Sequence, residues 1–290
     1  DILSQLFSDD SNIYGLDDIL SSIKKAKENE NIKGIYLQAS SLGTSYASLQ
    51  EIRNALLDFK ESGKFIIAYG DSYTQGLYYL SSVADKVLLN PKGMIEWRGI
   101  AAAPVFYKDL LQKIGVEMQI FKVGTYKSAV EPYINTQMSE ANREQTMAYM
   151  TPIWNHLLEQ LSQDRDISVD QLNNLADTLL VTVDAKELIA KGLVDTLMYR
   201  PQMNEFLKAK VGIDKDDDLI FASINEVASI KQAPNKAKDE IAIVYAEGGI
   251  DMGETNGVNT AKLVEDLTKI QNDKNVKAVV LRVNSPRGSA

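Results

Sequence analysis

The sequence predicts an α/β fold: a mostly parallel sheet with flanking helices, followed by a second, incomplete copy of the same unit. Three observations carry this. Short apolar runs alternate with segments of helical periodicity from the start of the chain. Those runs are apolar along their length, as strands buried on both faces are. Finally, Leu20–Ser45 aligns without gaps on Val264–Ser289 at an offset of 244. Six of the 26 pairs are identical: Lys25/Lys269, Asn31/Asn275, Lys33/Lys277, Leu37/Leu281, Ser41/Ser285 and Ser45/Ser289.

The elements follow in order. Leu16, Ile19, Leu20, Ile23 and Ala26 have helical spacing, and Gly34–Ala39 is a short buried-strand run. Ser48 with Glu51 predicts a capping box for the next helix, whose inner face is Leu49, Ile52, Leu56 and Phe59 and whose end is Gly63. Lys64–Tyr69 is the next strand. A helix over Leu77–Val83 leads to a strand at Lys86–Asn90, and Pro91 and Gly93 turn the chain. Pro104 opens a helix running to about Ile114, and Val116–Val123 reads as a strand.

From Ser139 to about Gln163 the periodicity is that of one long helix, with a kink expected at Pro152. Met147, Tyr149, Met150, Ile153 and Trp154 read mostly as core, with the alternative that some of them line a groove for apolar peptides. Ser168 with Gln171 and Asp184 with Glu187 predict two more capping boxes. Asp214–Asp218 is acidic and exposed. It fails as a calcium loop, because Leu219 stands at the sixth position and Asn225 at the twelfth. Ala233–Lys238 reads as a linker. Gly248-Gly249 follows a strand at Ile241–Tyr245 and makes a strand-to-loop turn without phosphate-binding spacing. The expected domains are 1–232, a linker at 233–239, and 240–290, the start of a second domain that stops at Ala290.

Composition narrows the function. The 290 residues carry a net charge of −9, which argues against a nucleic-acid partner. No run approaches the ~18 apolar residues of a membrane span, and no signal peptide opens the chain; its abrupt start at Asp1 leaves room for a leader or anchor to have been cut away. Without cysteine there is no disulfide and no thiolate chemistry. The single histidine, His156, lies in the long helical segment and reads as structural, which disfavours a Ser-His-Asp triad.

The most informative segment is Gly124-Thr-Tyr-Lys127-Ser-Ala-Val-Glu131-Pro132. It sets one lysine in largely uncharged company between a strand and a Pro-bounded loop. A lysine acts as a base when burial removes the preference for its ammonium form. Val123, Ala129, Val130 and Tyr126 are candidates for the apolar wall, and Ser128 for a hydrogen bond that orients the amine. Glu131 is a rival, because an ion pair with Lys127 would keep it charged.

This segment, Ala84–Pro91 and Val276–Pro286 closely resemble the signal peptide peptidase A (SppA) family of bacteria. Asp184–Asp195 is similar to the tail motif of the Clp protease and crotonase superfamily. The resemblance covers nearly the whole chain and implies a Clp/crotonase-like fold in tandem, with a Ser/Lys dyad formed across the two domains. Lys127 maps onto the general base. The nucleophilic serine is expected about thirty residues beyond the Asn284-Ser-Pro286 loop, past Ala290, so the chain reads as truncated and inert by itself. Ser289 is tempting, but the resemblance gives its loop to the oxyanion hole, with Arg287 and Gly288 as donors where the family carries Gly-Gly. In the first copy Gln75 stands at the degenerate nucleophile position.

The implied activity is endopeptidase action on cleaved signal peptides and similar apolar peptides, without metal or cofactor. The implied setting is the inner membrane facing the periplasm, through an anchor absent here, as a homo-oligomer (a tetramer by resemblance). Two alternatives are a crotonase-like acyl-thioester enzyme, which would have no use for Lys127 as a base, and a non-catalytic scaffold or pseudoenzyme of the same fold.

Overall fold

A computed structural model describes residues 14–38, 42–231, 237–250 and 257–285. They fall into two units, within Asp1–Ile230 and Lys231–Ala290.

In the first unit β1 (Gly34–Leu37), β2 (Phe65–Gly70), β3 (Lys86–Leu89) and β4 (Thr196–Leu197) form one sheet in that order, every pair parallel. Ile35 lies opposite Ile66, Ala68 opposite Val87, and Leu88 opposite Thr196. Parallel neighbours cannot be joined by a hairpin, so each connection crosses over. α1 (Leu16–Glu28) precedes β1, α2 (Tyr46–Lys60) joins β1 to β2, and α3 (Gln75–Ser81) joins β2 to β3. The connection from β3 to β4 holds α4 (Lys108–Lys113), α5 (Glu131–Ile134), α6 (Glu140–Arg165), α7 (Val169–Ala176) and α8 (Ala185–Ala190). After β4 come α9 (Met203–Val211) and α10 (Ile224–Ser229).

The strands face two ways, as the apolar runs predict. Ile66, Ala68, Val87 and Leu89 enter the larger core with Leu56, Phe59, Tyr78, Leu158 and Leu161. Ile67, Tyr69 and Leu88 point to the other face and meet Met203 and Leu207. Burying each such large side chain contributes roughly 1.5–3 kcal/mol before entropy is counted, so the sheet is held from both sides.

Several expectations are corrected. The N-cap of α2 is Ser45, whose hydroxyl accepts from the Ser48 amide at 3.2 Å; Ser48 is therefore inside the first turn. Ser168 and Gln171 do form a capping box, but Asp184 caps α8 alone, accepting from the Lys186 amide. The helix expected from Pro104 begins at Lys108, and the Tyr107 amide is taken by the Pro132 carbonyl at 2.6 Å. Residues 116–123 pair with no strand among the described residues; Phe121 is 94% and Val123 90% exposed. Apolar content alone does not make a strand without an edge to pair with. In α6, which runs through Pro152, Met150 is buried but Met147, Tyr149 and Ile153 are exposed. Asp214–Asp218 is exposed, as expected.

Two polar networks stitch the unit together. Arg53, 1% exposed, donates from Nη2 to Asp164 Oδ2 (2.5 Å), from Nη1 to the Tyr79 carbonyl and Ser82 Oγ, and from Nε to Gln160. Asp195, which closes the tail motif, accepts from the Val87 amide (2.7 Å) and Arg165 Nη1 (3.0 Å). Arg165 also donates twice to the Gly192 carbonyl, and Tyr78 donates to that of Leu193. Burial pushes the Asp195 carboxyl up, but the Arg165 hydrogen bond and charge, the Val87 amide and the Lys86 charge outweigh it and hold it below the ordinary aspartate range.

The second unit pairs β5 (Glu240–Glu247) with β8 (Val276–Asn284) and β6 (Gly249–Ile250) with β7 (Gly257–Val258), all parallel, with α11 (Thr260–Asn272) between β7 and β8. Gly248 turns the chain after β5 with φ +93°, where a side chain would be strained. The internal repeat is structural: both ends of α11 lie 244 residues after those of α1. The Asn31 amide bonds Asn29 Oδ1 and the Asn275 amide bonds Asp273 Oδ1. Lys33 and Lys277 donate to the carbonyls of Glu30 and Lys274. The repeat's Ser41 and Ser289 and the linker residues 233–236 lie outside the described residues.

Removing the Asp164 carboxylate leaves the Arg53 guanidinium buried without its counter-charge. Asp164→Ala should cost about 3–5 kcal/mol, and Arg53→Met with Asp164→Leu should recover most of it; a loss near zero in urea unfolding would refute the role of the pair. The Asp195 contribution is fully present above the carboxyl's unfolded pKa and is lost as pH falls through its lower folded value. Asp195→Asn should therefore cost about 2–3 kcal/mol at pH 7, and its deficit relative to the parent should shrink toward pH 3. An equal deficit at both pH values would contradict this.

Candidate active site

The lysine segment is built by local geometry. Gly124 adopts φ +99°, a conformation that L side chains rarely take. Lys127 follows at φ −81°, ψ 75°, and the Ser128 amide donates across it to the Tyr126 carbonyl at 3.0 Å. This is an inverse γ-turn with the lysine at its centre. A single 3₁₀ turn, Ser128–Val130, passes directly into α5, with Pro132 in its first turn. The Pro132 carbonyl takes the Tyr107 amide, and the Tyr107 and Tyr133 rings stack at 6.2 Å.

Glu131 turns to Ser139 and Asn142, not to Lys127. Its side chain is 1% exposed, and its oxygens accept from Ser139 Oγ (2.5 Å), the Ser139 amide (3.2 Å) and Asn142 Nδ2 (3.0 Å). Burial raises its carboxyl pKa, but these bonds and the Lys122 charge more than compensate, so the group lies below the ordinary glutamate range. Lys127 makes no hydrogen bond or ion pair among the described residues, with Glu131 or any other group.

Other placements depart from the expected site. Lys127 is exposed, and so are Val123, Tyr126 and Ala129; the apolar wall expected around the amine does not form within this unit. Residues 116–123 pair with no strand among the described residues, and all but Ile120 are exposed. Tyr126 turns its hydroxyl to Glu144 Oε2 at 3.1 Å, and that bond and charge raise its pKa. Ser128 contributes its backbone amide to the turn; among the described residues its hydroxyl does not bond the lysine.

Gln75 is 9% exposed at the start of α3. Its Oε1 accepts from the amides of Arg98 (2.9 Å) and Gly99 (3.0 Å), while its Nε2 donates to Tyr46 Oη (2.8 Å) and the Gly99 carbonyl (3.1 Å). Two backbone N–H groups converging on one oxygen could stabilise developing negative charge. Here the side-chain carbonyl fills that position. Gln75 thus uses all its hydrogen-bonding capacity within the protein.

His156, exposed on α6, donates to Gln50 Oε1 at 2.5 Å, an atom that also accepts from the Tyr79 hydroxyl, consistent with a structural role. Arg287, Gly288 and Ser289 lie outside the described residues; Asn284, before that loop, ends β8 and accepts the Gly248 amide at its carbonyl. Sequence reasoning missed Ser139 and Asn142 as partners of Glu131. Ser139 was legible as the start of α6, but nothing in the spacing shows that it also grips a carboxylate eight residues upstream.

Comparison with known proteins places the chain. Residues 58–214 match peptidase family S49. Protease 4 of Salmonella typhi is 37% identical over 284 residues, covering 94% of this chain and 45% of that protein. Protease 4 of Haemophilus influenzae is 33% identical over 287 residues, covering 94% and 46%. The chloroplastic serine protease SPPA of Arabidopsis thaliana is 25% identical over 298 residues, covering 100% and 44%. The chain spans less than half the length of these relatives. With a match over more than half of its own residues, it belongs to peptidase family S49.

Proposed function

We propose that the protein is a serine/lysine-dyad endopeptidase acting on cleaved signal peptides and similar apolar peptides, with Lys127 as the general base. The observation that carries this is a lysine fixed at the centre of a γ-turn, its amine without an ion-pair partner among the described residues, in a chain of a peptidase family. A base needs a free lone pair, and a neighbouring carboxylate would oppose its release. Glu131, the nearest rival, is engaged elsewhere.

The chemistry follows. The neutral amine takes the serine hydroxyl proton as the oxygen attacks the peptide carbonyl, then returns it to the leaving amine. The nucleophile is assigned beyond residue 290, and the oxyanion donors to the backbone amides of Arg287 and Gly288. Since Lys127 is exposed here, the water exclusion that a lysine base requires has to be supplied by groups outside the described residues or by bound substrate. An inner-membrane, periplasm-facing placement and a homo-tetramer belong to the same proposal; among the described residues no helix is long and apolar enough to cross a membrane.

A scaffold role is favoured by one observation, the occupation of the Arg98 and Gly99 amides by Gln75. Fluorophosphonate labelling and peptide hydrolysis of the full-length protein separate the two readings. Lys127→Ala should lower hydrolysis by about 10²–10⁴-fold, and Lys127→Arg should not restore it, because arginine stays protonated. Hydrolysis at the parental rate in Lys127→Ala would sink the assignment, and absence of labelling in every form would favour the scaffold.

A further inference from the structure

We propose that Glu131 is the positioning residue of the catalytic lysine: its buried carboxylate pins the turn bearing Lys127 to the first turn of α6. The proposal rests on the reading of Lys127 as the base.

Glu131 is buried, whereas residues 121–127, just upstream, are all exposed. A carboxylate out of water must be compensated. No cation lies in ion-pair range of it among the described residues; three donors surround it instead, all from Ser139 and Asn142. Ser139 is the N-cap of a 26-residue helix and Asn142 sits three residues on. The free amides and positive dipole end of such a helix favour an anion there. The Ser139 hydroxyl serves both sides: it accepts from the Asn142 amide at 3.2 Å and donates to Glu131.

The link from this anchor to the lysine is short and closed by hydrogen bonds. The Glu131 amide bonds the Ser128 carbonyl, the Ser128 amide bonds that of Tyr126 across Lys127, and the Asn135 amide bonds the Glu131 carbonyl. Only one 3₁₀ turn separates the carboxylate from the lysine, so little slack remains between them. Other supports are weaker. Residues 116–123 pair with no strand among the described residues, and α4, which meets α5 through Tyr107, has no buried residue. Upstream, Tyr126 makes one exposed hydrogen bond to Glu144 of α6. The backbone of the lysine turn is therefore held chiefly from the downstream side, through the buried Glu131.

The test uses the full-length protein and compares the parent with Glu131→Ala, Glu131→Gln and Ser139→Ala. In Glu131→Ala, amide hydrogen exchange across residues 124–135 should accelerate by about tenfold or more while β2 and β3 keep their protection. Peptide hydrolysis should lose about tenfold or more in kcat with little change in KM, as misplacement of a catalytic group does. Glu131→Gln should recover part of both, because its carbonyl can accept from the Ser139 amide or Asn142 and its NH₂ can donate to Ser139 Oγ. Ser139→Ala, which keeps the carboxylate, should give an intermediate loss. Unchanged exchange in residues 124–135 of Glu131→Ala, or equal loosening of β2 and β3, would overturn the anchor and leave Lys127 untouched. Parental hydrolysis in Lys127→Ala would instead remove the base, and the positioning role with it.

Discussion

Everything in the first unit depends on the parallel pairing of β1, β2, β3 and β4. A parallel neighbour has to be reached by a crossover, and each crossover lays a helix or a longer excursion over the sheet. The sheet is thereby covered on both faces, and Ile66 and Ile67, adjacent in sequence, are both fully buried but in different cores. The longest crossover, from β3 to β4, holds α4 to α8 and the lysine turn. The candidate site therefore belongs to an excursion from the sheet, placed by contacts of its own.

The buried polar contacts of the fold are complete. Among the described residues no buried side-chain nitrogen or oxygen lacks a partner. Arg53, Gln75 and the partly buried Asp195 satisfy their polar or charged groups with partners distant in the chain, and Glu131 satisfies its carboxylate with Ser139 and Asn142, eight and eleven residues on. Such networks are weak sources of net stability, but costly to leave half made. Gln75 shows the same principle applied to a site: its amide closes a pair of backbone donors that could otherwise have bound charge.

The lysine turn has the opposite character. Its backbone is fixed, but its side chain and its apolar neighbours Phe121, Val123 and Tyr126 are in contact with water. In the second unit, too, Ile241, Ile243, Val280 and Val283 are exposed on a two-stranded sheet.

Much of this was legible in the residues. The apolar runs determined a parallel sheet buried on both faces, and the 244-residue offset determined that the helix-strand unit α1–β1 returns as α11–β8. Local periodicity and capping chemistry act over a few residues, so they can be read in order along the chain. Other features required the fold. That residues 116–123 find no strand partner among the described residues depends on what lies beside them; that Glu131 turns to Ser139 and Asn142 and not to Lys127 depends on where α6 begins; and the exposure of Lys127 depends on what packs around it. Tertiary structure alone decided these, because burial and the choice of hydrogen-bond partner are properties of the space around a side chain, and sequence spacing does not encode that space.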